Sequence, residues 1–154
     1  MINCNSLVSA IISIILVSCS SEKDIKPIWD LFDSAYTEYF ENGDLAFDHI
    51  ENCLMEAGGL SHQIPDYRQT EFRRQEAYTI ALLYCISINT KDADNILKYG
   101  EIIQNNEDIT DRVRLGLNLE SSESVSPEDI CRWITELMDF FESRGSQKSS
   151  GLDS

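Results

Sequence analysis

Apolar residues follow two different patterns along this chain. The first is a continuous run over residues 7–17, "LVSAIISIILV", broken only by Ser9 and Ser13 and followed at once by Cys19 and the polar "SSEKD". Beyond it, apolar positions return at helical spacing. Ile28, Phe32, Ala35, Tyr36 and Tyr39 form one stripe, with Pro27 at a favoured first helical position and Asn42-Gly43 as the stop. Asp44 is placed to cap a second helix that points Phe47, Ile50, Cys53, Leu54 and Ala57 inward and ends at Gly58-Gly59. So short a connection predicts an antiparallel hairpin.

A loop, "GGLSHQIPDYRQT", separates this hairpin from a third helix predicted over Glu71 to Ile88. Its second half, "AYTIALLYCISI", is apolar nearly all round, which predicts the central helix of a bundle. Thr90 can cap a fourth helix with Ala93, Ile96, Leu97, Gly100 and Ile103 on one face. One constant offset pairs Phe32 with Tyr78, Ala35 with Ala81, Phe47 with Ala93 and Ile50 with Ile96, so the two hairpins share a pattern. After Asn106 the signals compete. Val113, Leu115, Leu117 and Leu119 alternate as in a strand, while Ile109, Val113 and Leu117 fit a helix. With no partner strand elsewhere, a helix is expected. Ser126-Pro127-Glu128-Asp129 is a strong helix start, and Ile130, Trp133, Ile134, Leu137, Met138 and Phe141 follow as a wide apolar face. The predicted fold is all-α, a small bundle of about five helices arranged as stacked antiparallel hairpins. It occupies residues 27–144, and residues 145–154 form a disordered tail.

Two stretches resemble known families. "YFENGDLAFDHIENCLMEA" is similar to a tetratricopeptide hairpin, although the period departs from the roughly 34 residues of that family. Residues 16–19, "LVSC", resemble the lipobox of bacterial lipoproteins. The preceding apolar run is too short to span a bilayer and has the length of a signal-peptide core. Its first segment, "MINCNS", lacks the Lys or Arg such signals usually carry. The resemblance implies that residues 1–18 are a signal peptide and that Cys19 carries a diacylglyceryl group and an acylated amine, palmitate for example. It also implies that residues 19–26 are a tether. Ser20, where an Asp would retain the protein at the inner membrane, implies the periplasmic face of the outer membrane.

Charge then narrows the partners. Among 154 residues, 27 acidic side chains face 12 basic ones, a formal charge of −15. That balance repels nucleic acid and anionic headgroups and attracts a basic protein. Candidate chemistry is sparse. Only His49 and His62 are present, without the spacing of a zinc site, so no metal or cofactor is expected. His49 and Cys53 are one helical turn apart and can touch, but a helix surface supplies no cleft for catalysis, and no enzyme is expected. With Cys4 removed and Cys19 lipidated, Cys53, Cys85 and Cys131 remain. All three lie on or beside apolar faces, and the preferred reading is three buried thiols over one bridge. One segment breaks the acidic rule. In "DYRQTEFRR", Arg68, Arg73 and Arg74 gather with Tyr67 and Phe72 near the long loop, a candidate partner-binding site.

Together these features point to a periplasm-facing lipoprotein that works by binding protein. Size, acidity and absent catalytic motifs suit an immunity protein neutralising a basic antibacterial toxin. The other expectation is a tetratricopeptide-like adaptor or scaffold of an envelope complex.

Overall fold

The computed structural model describes residues 25–149 and side chains as far as residue 145. Cys19, the expected signal peptide over residues 1–18, most of the expected tether and residues 150–154 lie outside the described residues. The fold is a small all-α bundle. Helix α1 covers residues 25–42, and α2 is Phe47–Gly59. The long α3 is Gln69–Thr90, followed by α4 (Ala93–Gln104), α5 (Glu107–Leu117) and α6 (Pro127–Ser149). Ile25 is already helical and buried, so the domain begins inside the stretch assigned to the tether. At the other end α6 continues to Ser149, into the stretch assigned to the tail.

Helix α3 is central. Every residue from Thr79 to Ser87 is buried, and α2, α4 and α6 all pack against it. The only buried polar residues among the described ones are Thr79 and Ser87. Their hydroxyls donate back to Gln75 O at 2.8 Å and Leu83 O at 2.7 Å, so neither is unsatisfied. Contacts of α1 on α3 advance together along both chains, Phe32 with Phe72 and then Tyr36 with Gln75 and Thr79. Those of α6 run the opposite way, Cys131 with Cys85 and Phe141 with Tyr78.

The expected inward faces of α1, α2 and α6 are the observed ones. Helix α4 presents part of its expected face, with Ile103 buried and Ile96 packed against the core, but Tyr99 joins it and two expected residues do not. Tyr99 and Ile103 are buried, whereas Ala93 is exposed and Leu97 is 64 % exposed. Tyr99 turns inward because both its ring and its hydroxyl find partners there. Its ring meets Phe47 edge-on at 6.2 Å, and its hydroxyl donates to Glu51 Oε1 at 2.6 Å.

Three helix ends also differ. Gly43, at φ +58°, opens a 3₁₀ turn over Gly43–Ala46, and α2 begins at Phe47 without the expected side-chain cap from Asp44. Thr90 does not cap α4, because α3 runs through it and its hydroxyl donates to Ile86 O at 2.9 Å. Lys91 at φ 58° ends α3, and Asp92 caps α4 by accepting from Asn95 N at 3.2 Å. The Ser126 cap is as expected and reciprocal. Asp129 N donates to Ser126 Oγ at 3.1 Å, and Ser126 N donates to Asp129 Oδ2 at 3.0 Å.

The competing signals after Asn106 resolve as helix α5. Gly116 in this helix has a packing role. A methyl group there would meet the Trp133 ring at 2.5 Å, so the glycine lets α6 close on α5.

The cysteine expectation needs correction. Cys85 and Cys131 form a disulfide between α3 and α6, and Cys53 alone of the three is a buried free thiol. Direct packing of α6 on α3 brings the two Cα atoms to 5.4 Å, inside the range a disulfide requires.

Candidate functional site

The five residues of the basic segment are not brought together as one surface. Tyr67 is exposed at 66 % on the short turn before α3, and Arg73 and Arg74 are exposed one turn further along. Phe72 is only 4 % exposed and belongs to the core, so it is not a partner contact. Its ring meets Phe32 at 5.7 Å and Trp29 at 6.4 Å. Arg68 is engaged internally. Its guanidinium lies 5.2 Å from the centre of the Trp29 ring, and its Nε is 3.0 Å from Glu71 Oε2. Ring and arginine here seal the start of the α1–α3 interface.

Arg73 also lines a cleft of about 250 Å³ between α3 and the start of α5, with Glu76, Asn106 and Asp108. Glu76 is half-buried there. Burial raises its carboxyl above the ordinary range, and the Arg73 charge works against that rise.

A second region was not singled out in the sequence. Between α1 and α6, over α3, lies an open groove of about 450 Å³, lined by Asp33, Tyr36, Thr37, Phe40, Gln75 and Phe141. Its floor is fixed. Tyr36 donates to Gln75 Oε1 at 2.8 Å and lies 3.4 Å from the Thr79 hydroxyl, and its ring is 6.0 Å from Phe141. Of its lining rings Phe40 is 37 % exposed, and Phe140, the neighbour of Phe141 on α6, is 50 % exposed. Phe140 and Phe141 are 6.1 Å apart, and Tyr39 and Phe40 likewise 6.1 Å.

Carboxylates surround these rings. Burial chiefly raises the Tyr36 phenol, and Asp33 adds to the rise. The Tyr39 phenol is raised by burial first, then by Asp44, Asp139 and Glu142. Acidic side chains of both α1 and α6 therefore act on the phenols of α1. Arg144 rests on the Phe140 ring next to Phe141, its guanidinium 4.9 Å from the Phe140 centroid.

A signal for this groove existed in the sequence. Tyr39-Phe40 and Phe140-Phe141 are adjacent aromatic doublets, and neighbouring residues on a helix do not share a face. One ring of each doublet must lean away from the core.

His49 and Cys53 do meet. Cys53 Sγ is 3.6 Å from His49 Nε2, and Ser34 Oγ is 2.8 Å from the same nitrogen. Burial raises the Cys53 thiol above its ordinary value, outweighing the hydrogen bond from Ser34. A nucleophilic cysteine needs the opposite shift. The cluster ties α1 to α2. A similar tie joins α2 to α4, where Lys98 Nζ lies 2.6 Å from Glu51 Oε1 beside the Tyr99 hydroxyl. Burial alone would raise the Glu51 carboxyl, but the bonds from Lys98 and Tyr99 hold it below its ordinary value.

Among the described residues, no group of three or more His, Cys, Asp or Glu could hold a metal ion. No helix among them is long and apolar enough to cross a membrane. No protein-family model, curated protein or solved structure matches the chain.

Proposed function

We propose that this chain is a lipoprotein, anchored through Cys19 to the periplasmic face of the outer membrane, that works by binding a basic protein. The role that suits it best is that of an immunity protein neutralising an antibacterial toxin. The observation that carries the binding reading is the distribution of charge. The chain has a formal charge of −15, and no charged residue is buried among the described ones, so the acidic excess faces solvent. Such a surface steers a cationic protein toward it and speeds association.

Two further observations support the reading. A disulfide between Cys85 and Cys131 suits an oxidising compartment such as the periplasm. The Ser34–His49–Cys53 cluster keeps its sulfur as a buried thiol, which favours a structural part over a catalytic one.

Replacing Cys19 with Ala tests the anchor. Acyl labelling should vanish, and the protein should leave the membrane fraction. An unchanged distribution with the full-length chain in the cytosol would overturn the export reading. Capture from envelope extract tests the role. A single tight partner, toxic when expressed alone and harmless with this chain, is the expected result. Several partners, none of them toxic, would replace the immunity role with that of an adaptor.

A further inference from the structure

The groove between α1 and α6 combines features that the rest of the described surface keeps apart. It has depth, a rigid floor, an exposed ring and a carboxylate among its lining residues. Asp33 is exposed, and its carboxylate has no hydrogen-bond or ion-pair partner among the described residues. Two other acids on α1 are already engaged. Asp30 holds Lys26 at 2.7 Å, and Glu38 accepts from Asn42 at 2.7 Å. Phe40 and Phe141 line the same groove as Asp33.

A flat, weakly hydrated cation with several donors matches this set. A guanidinium can give paired hydrogen bonds to a carboxylate while its face lies on an aromatic ring; an ammonium meets only the charge. Arg144 on Phe140, next to Phe141 on α6, shows the same guanidinium–ring arrangement within the chain itself. The carboxylates of Asp44 and Asp139 also act on the Tyr39 phenol and favour a segment with more than one positive charge.

We infer that this groove is the docking surface for a basic protein partner, and that it receives an arginine side chain of that partner between the Asp33 carboxylate and the rings of Phe40 and Phe141. The inference rests on the binding role proposed above and assigns it a surface. Leu97 and Asp94 provide the control, because they share a shallower surface depression on α4 with an exposed apolar side chain and an acid but no ring.

The test uses the full chain in a nonionic detergent and a fluorescein-labelled peptide of alternating Arg and Leu, read by anisotropy. Asp33→Asn and Phe40→Ala should each weaken binding about tenfold. Asp94→Asn and Leu97→Ala should leave it within about twofold. Replacing every Arg in the peptide with Lys should weaken it on the native chain and matter less on Phe40→Ala. Equal losses in both sets of variants would show diffuse attraction to an acidic surface and overturn the inference, as would no loss in the groove variants. Phe40 and Asp33 are exposed, so unchanged helical circular dichroism is expected and separates loss of the site from loss of the fold. If the peptide binds as stated and envelope capture yields no toxin, the groove stands and the immunity role falls. If a toxin is captured and both groove variants still neutralise it, the groove falls and the role stands.

Discussion

Helix α1 carries two aromatic clusters that read alike in sequence and differ in use. Trp29 and Phe32, near its start, close onto Phe72, and Arg68 covers the Trp29 ring. Tyr36 and Phe40, further along, face Phe141 across a groove that stays open, with Asp33 among the residues lining it. In the first cluster the charged group is spent inside the molecule. In the second the carboxylate and the ring edges remain turned to solvent. Aromatic rings beside charges are therefore not in themselves a sign of a binding surface; what separates the two regions is whether a neighbouring helix completes the contact.

The contrast is broken most severely at Phe72. Phe72→Ala should destabilise the fold by about 3–5 kcal/mol, because it opens a cavity among buried rings. Urea denaturation measures the loss, and the variant that remains folded should still bind the arginine peptide at full affinity. Loss of binding at unchanged stability would mean that Phe72 touches the partner after all.

The disulfide comes next. Replacing Cys85 and Cys131 together with Ser should cost about 2–4 kcal/mol by urea denaturation. Because α6 forms one wall of the groove, this change should also weaken peptide binding, unlike Phe72→Ala. Equal peptide affinity with and without the bridge would show that the wall is held by packing alone.

A smaller effect is expected at Glu51, whose bonds to Lys98 and Tyr99 are engaged internally like those of Arg68. Its carboxyl is held below the ordinary value in the fold, so ionisation adds stability above the unfolded value. That contribution is lost as pH falls through the lowered folded value. Glu51→Gln should make the acid side of the stability profile shallower, and Glu51→Ala should cost about 1–2 kcal/mol at neutral pH by leaving the Tyr99 hydroxyl without its acceptor. An unchanged acid limb in Glu51→Gln would remove Glu51 as its source.

The smallest stability change belongs to the open cluster. Phe40→Ala should shift stability by no more than about 0.5–1 kcal/mol, since the ring is 37 % exposed. It should nevertheless cost far more in peptide binding than Phe72→Ala does. A large loss of stability at Phe40 would place its ring in the core and erase the contrast.

Much of the fold was readable from spacing. The inward faces of α1, α2 and α6, the central place of α3 and the Ser126 start all follow from helical periodicity and capping chemistry. The face of α4 did not, because periodicity weighs Leu97 and Tyr99 alike, and only the meeting with Phe47 and Glu51 decides between them. The bridge was hidden for a related reason. Cys85 and Cys131 belong to helices distant in the chain, and spacing does not show that their Cα atoms approach. For the candidate site, composition pointed to the unusual basic segment and away from the ordinary acidic background. The burial of Phe72 and the engagement of Arg68 are tertiary facts. The doublets Tyr39-Phe40 and Phe140-Phe141 were legible clues to the groove, since a helix cannot bury both members of such a pair on one face.

The most direct measurement is a pair of titrations of the isotopically labelled full chain followed by amide chemical shifts. One probe is the arginine–leucine peptide, and the other is its aspartate–leucine counterpart, which a working basic segment would recognise. The account predicts saturable shifts from the arginine peptide concentrated at residues 33–40 and 137–142, and no saturable shifts from the aspartate peptide at residues 67–74. Saturable binding of the aspartate peptide at residues 67–74, with only diffuse shifts from the arginine peptide, would contradict it.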